Sequence, residues 1–111
     1  KEFSDDIRDS TSIKIIEQLL VNKANIFAHD PACIKNFRIN MPYTYSKVTI
    51  VKNWKKYIKK SKIIIVATKW PEYLELKKEN LEGKFFMDVR RMFEKKDLKN
   101  SSYMTIGFQE R

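Results

Sequence analysis

Glycine occurs twice in the 111 residues, at Gly83 and Gly107. Neither a GxGxxG dinucleotide turn nor a GxxxxGKS/T phosphate loop can therefore be written in the chain, and a nucleotide bound by it would be held by side chains. One cysteine, Cys33, and one histidine, His29, exclude an internal disulfide and leave no thiolate or imidazole cluster at metal-ligand spacing. The longest wholly apolar run, Ile63 to Ala67, falls far short of the roughly 18 residues a membrane-spanning helix needs. Lys1 to Ser12 is polar and acidic, without the basic patch and apolar stretch of a secretory leader. The expected setting is the cytoplasm. Acidic residues are also few: 14 against 23 Lys and Arg, for a net charge of +9.

Against these shortages stand 42% hydrophobic and 13% aromatic residues, enough for a packed core despite 33% charged residues. The length suits a single domain, and residues 1–111 are expected to form one. The positive charge predicts attraction to polyanions or to phosphate-bearing small molecules. It is equally what lysine-decorated solvated faces produce. Charge alone leaves both readings open.

Ser10, Thr11 and Ser12 offer N-cap hydroxyls before Ile13, Ile16, Leu19 and Leu20, whose spacing gives one apolar face to a helix from about Thr11 to Asn22. Ile26 to Ala28 reads as a short buried strand stopped at Asp30-Pro31. Residues 31 to 46 read as an irregular connection with one helical turn around Ala32 to Phe37. Val48 to Val51 is a second strand, followed by a short lysine-studded helix carrying Trp54, Tyr57 and Ile58. Lys62 to Ala67 is a third, continuously apolar, as expected where helices cover both faces. Pro71 can begin a helix with Tyr73, Leu74 and Leu81 in the core and Gly83 closing it as its C′ residue. Phe85 to Met87, ending at Asp88, and Tyr103 to Gly107 complete five strands. Strands alternating with helices predict an α/β, three-layer, Rossmann-like doubly wound and mostly parallel sheet. In such sheets ligands bind beyond the carboxyl ends of the strands. Those ends are Asp30, then Thr68 with Lys69 and Trp70, then Asp88 with Arg90 and Arg91.

Five blocks in order carry a resemblance. They are Lys1, DDIRDS at Asp5 to Ser10, HDP at His29 to Pro31, ATKWPEY at Ala67 to Tyr73, and DVRR at Asp88 to Arg91, with TIGF at Thr105 to Phe108 near the end. The chain resembles the C-terminal UDP-binding domain of the UDP-glucose/GDP-mannose dehydrogenase family over nearly its whole length. Val89 and Arg91 stand where that family has the glycine and asparagine of DGRN, and Lys69 stands where its T-x-W block commonly has an acidic residue. The family domain also has a strand before Lys1, so that strand is expected to be missing from this sheet.

The resemblance implies an NAD-dependent UDP-sugar 6-dehydrogenase, UDP-glucose being the expected substrate, whose C6 alcohol is oxidised to a carboxylate. It implies that Lys1 and Arg90 contact the UDP-sugar and that Arg8 approaches NAD bound by another domain. A guanidinium suits a diphosphate because it stays charged and makes bidentate hydrogen bonds. An N-terminal NAD-binding domain and a middle domain with the catalytic cysteine are the implied partners, in an enzyme expected to be a homodimer. Neither nucleic acid nor membrane is expected as a partner, and this chain alone is expected to turn over nothing. Each residue also has a plainer reading. Arg90 can be a surface arginine, Arg8 can pair with Asp5, Asp6 or Asp9, and Asp5 and Asp6 can serve the positive end of the following helix. Cys33 reads as a spectator thiol and His29 as a structural residue. Trp70 and Tyr73 suit either base stacking or core packing, and Lys55, Lys56, Lys59 and Lys60 read as solvated. The rival from another class is a small basic α/β nucleic-acid-binding module, which accounts for the charge and leaves the ordered blocks unexplained.

Overall fold

The computed structural model describes residues 11–98 and 100–105, which divide into two compact units at Trp54 and Lys55. Lys1, Arg8, the DDIRDS block and most of the TIGF block lie outside the described residues.

In the first unit, helix α1 spans Thr11–Val21, as the Ile13 and Ile16 spacing requires. Lys23 closes it in the left-handed region, φ 62°, with its N–H on the Leu20 carbonyl at 2.9 Å. Strands β1, Phe27–Ala28, and β2, Thr49–Ile50, pair in parallel, with Thr49 and Val51 donating to the Ile26 and Ala28 carbonyls. The expected irregular connection is instead two helices, α2 over Ile34–Asn40 and α3 over Pro42–Ser46. Pro42 starts α3 because a first-turn residue has no intrahelical use for the N–H that proline lacks. Ile13 and Phe37 form the core of the unit, with Ile16, Cys33, Met41, Tyr45, Val48 and Ile50 packed around them. Phe37 and Tyr45 meet edge to face at 5.5 Å. Phe27, expected to be buried, is exposed.

A 3-10 helix, Trp54–Tyr57, begins at the last residue of the first unit, and the second unit holds a parallel sheet of β3 (Ile63–Val66), β4 (Phe85–Asp88) and β5 (Ser102–Met104), in that order. Register pairs Ile63 with Phe85 and Val66 with Asp88, then Phe86 with Tyr103. Parallel neighbours need a crossover, and here both crossovers carry 3-10 helices, Pro71–Lys78 and Lys95–Leu98. Tyr73 and Leu76 are the buried positions of the first, a spacing of three that matches three residues per turn. Leu74, expected in the core, is exposed. The helix stops at Lys78 with Glu79 extended, so Gly83 does not cap it. Gly83 does adopt the left-handed region expected of it, φ 77°, but in the turn before β4, where its N–H meets the Asn100 carbonyl.

Burial in β3 and β4 rises toward their carboxyl ends. Ile63 and Phe85 are each 51% exposed, whereas Val66 is buried and Asp88 is 0% exposed. The apolar run of β3 is therefore exposed at its first residue and covered to increasing depth after it. Phe86 is fully buried, edge to face with Phe93 at 5.3 Å and stacked on Tyr103 at 6.3 Å. The chain is an α/β, Rossmann-like domain built on small parallel sheets.

Candidate functional site

The carboxyl ends of β3 and β4 lie side by side. Val66 pairs with Asp88, and the Val89 N–H extends the ladder to the Val66 carbonyl at 3.0 Å. Thr68, Lys69 and Trp70 leave one strand while Val89, Arg90 and Arg91 leave its neighbour. Thr68, Trp70 and Arg90 are half-buried; Lys69 and Arg91 are exposed.

Asp88 organises this rim. Its Oδ1 accepts the Met92 N–H at 2.9 Å, and its Oδ2 accepts the Phe93 N–H at 2.8 Å and the Tyr103 hydroxyl at 2.9 Å. Its carbonyl accepts the Thr105 hydroxyl at 2.9 Å. A carboxylate with no exposed surface is stable only when its oxygens are satisfied, and two amides and a phenol satisfy it here. The backbone is thereby folded into a closed turn over residues 88–93, with Arg90 inside it. Arg91 takes up the reversal with φ 54°, a conformation that asparagine tolerates better than other side chains. Asparagine is the residue the DGRN pattern has there. Val89 has no positive φ and is 7% exposed, so a valine in the glycine's place packs into the interior.

Tyr103 has its phenol pushed up to about 12, first by burial and then by the hydrogen bond and negative charge of Asp88, with Arg91 acting in the opposite direction. The phenol thus remains a donor far above neutral pH. The sequence marks Tyr103 only as a strand residue and Thr105 only as a strand residue that starts the TIGF block, with no contact to Asp88 indicated for either. The one legible signal was an aspartate at the end of an apolar strand with two arginines close behind it.

Asp30, just past the end of β1, has a structural use. Asp30 Oδ1 accepts the N–H groups of Ala32 and Cys33, each at 2.8 Å, at the head of α2. Cys33 packs on the Ile13 and Phe37 core, as expected of a spectator thiol. Tyr73 is buried, in line with core packing rather than stacking on a ligand. Lys55, Lys56, Lys59 and Lys60 are exposed. Among the described residues no group of His, Cys, Asp and Glu could hold a metal ion, and no helix is long and apolar enough to cross a membrane.

No curated protein and no solved structure matches the chain. Residues 1–95 match the model of the UDP-glucose/GDP-mannose dehydrogenase family, UDP binding domain. With an α/β parallel fold and an arginine held at a strand's carboxyl end, this match establishes that the chain belongs to the UDP-glucose/GDP-mannose dehydrogenase family as its UDP-binding domain.

Proposed function

We infer that residues 1–111 form the substrate-capturing domain of an NAD-dependent UDP-sugar 6-dehydrogenase, with UDP-glucose as substrate, and that Arg90 grips the diphosphate. What supports the reading is the position of Arg90, on a turn closed by Asp88 at the carboxyl end of a parallel strand, where α/β sheets bind their ligands. Lys1 is the second contact to the UDP-sugar, and Arg8 faces the cofactor bound by another domain. Binding energy gathered at the nucleotide end positions the distant C6 alcohol, so this chain contributes to catalysis by orientation rather than by chemistry.

The residues present do not fit a dinucleotide site. Gly83, the one described glycine, lies at the amino end of β4, opposite to Arg90. In this reading, which follows the family resemblance, NAD and the catalytic cysteine belong to N-terminal and middle domains of a cytoplasmic, homodimeric enzyme, and the chain alone turns over nothing.

Titration with UDP and with RNA at two salt concentrations tests this. Arg90→Ala is expected to weaken UDP binding by at least about tenfold, the scale of a lost charge-assisted bidentate contact. A single diphosphate pocket loses little affinity with salt, whereas many lysines on a polyanion lose it steeply. Unchanged UDP affinity in Arg90→Ala, together with tight and salt-sensitive RNA binding, overturns the reading.

A further inference from the structure

Residues 102–105 lie beyond the segment that the family model matches, yet they hold the Arg90 turn at both ends. The Tyr103 hydroxyl lies 2.9 Å from Asp88 Oδ2 and 3.1 Å from the Phe93 carbonyl, so its single proton serves the first and the last residue of the turn. The Thr105 hydroxyl adds a bond to the Asp88 carbonyl. The ring of Tyr103 stacks on Phe86, which is fully buried, so the hydroxyl is presented from a fixed platform.

We propose that Tyr103 is a positioning residue for Arg90, setting the guanidinium against the diphosphate of the bound nucleotide through the Asp88–Phe93 turn. This rests on the reading of Arg90 given above. A bidentate contact depends on direction as well as distance, and a turn tied at both ends keeps Arg90 from drifting between its anchors. A phenol is protonated at neutral pH, as the donor role requires, and burial and the Asp88 contact extend that range upward.

The test is calorimetric titration of the 111-residue chain with UDP and with uridine, in wild type, Tyr103→Phe, Arg90→Ala and the double variant. Tyr103→Phe keeps the ring and removes the bond. It is expected to weaken UDP binding by about three- to tenfold, the range of one net hydrogen bond, and to leave uridine binding unchanged, since uridine lacks the diphosphate. In the Arg90→Ala background it should add no further loss, because both changes act through one contact. Equal losses for UDP and uridine, a full loss persisting in the double variant, or no loss where Arg90→Ala itself weakens UDP would each overturn the proposal. If Arg90→Ala leaves UDP affinity unchanged, the reading of Arg90 fails and takes this one with it. If Tyr103→Phe is unfolded by circular dichroism, Thr105→Val puts the same question with the same deciding outcomes.

Discussion

Removing the Asp88 carboxylate should cost the second unit a large share of its stability. In Asp88→Ala, the Met92 and Phe93 amides lose acceptors at 2.9 and 2.8 Å, while the Tyr103 hydroxyl keeps the Phe93 carbonyl at 3.1 Å. A buried donor left without an acceptor costs about 1–3 kcal/mol. Phe93, whose bond is buried, bears the upper part of that range, and Met92, partly buried, the lower. The sum is about 3–5 kcal/mol, against a total stability of about 5–15 kcal/mol for a domain. At about 4–8 °C per kcal/mol for a small domain, that corresponds to a fall in Tm of at least roughly 12 °C. Asp88→Asn retains one acceptor oxygen and turns a donor toward the remaining amide, so its loss should be intermediate. Urea unfolding followed by far-ultraviolet circular dichroism measures both variants. A loss below about 1 kcal/mol in Asp88→Ala, or a larger loss in Asp88→Asn than in Asp88→Ala, would refute the assignment of the turn to this carboxylate.

Other outcomes follow from the same geometry. The Tyr103 phenol titrates near 12 in the folded chain against 10.0 for a free one. Its contribution to stability should be complete below pH 10 and disappear as pH rises toward 12, and phenolate absorbance in wild type minus Tyr103→Phe should report that one group. A difference spectrum centred at pH 10 would contradict its burial beside Asp88. Arg91→Asn should raise stability by about 0.5–1 kcal/mol by easing the φ of 54°, readable as a higher Tm, and a lower one would mean that the arginine side chain outweighs its backbone. Phe86→Ala, at a site with no exposed surface and two ring partners, should cost about 3–5 kcal/mol in the urea assay, and a cost under about 1 kcal/mol would show that the cavity collapses freely.

Where the sequence spoke through periodicity it was legible. Ile13 and Ile16 placed α1, and the apolar runs Ile63–Ala67 and Phe85–Met87 placed β3 and β4 with their parallel pairing. Where a residue type has two uses it was not. Pro42 reads as a breaker in a polar stretch and serves as a helix start, because its missing N–H costs nothing at that position. Tyr73 and Leu81 are buried as the sequence indicates, but Leu76 takes the place expected of Leu74, because a 3-10 helix repeats every three residues rather than every 3.6. At the candidate site, Asp88 and Arg90 could be placed by their strand end. The contacts to Tyr103 and Thr105 span 15 and 17 residues and come from sheet register, which no local pattern records.

Ile63 and Phe85 face each other across the first rung of the sheet with half their surface in solvent, and β3 is an edge strand of that sheet. Such a rung invites copies of the chain to stick together. Each side chain is preceded by a lysine, Lys62 and Lys84, the latter anchored on the Lys59 and Ser61 carbonyls. These ammonium groups work as gatekeepers whose mutual repulsion is long-ranged only in dilute electrolyte. The protein should accordingly keep best in low-salt buffers, and concentrated brine or lysine acetylation should turn this corner of the molecule into the starting point of its aggregation.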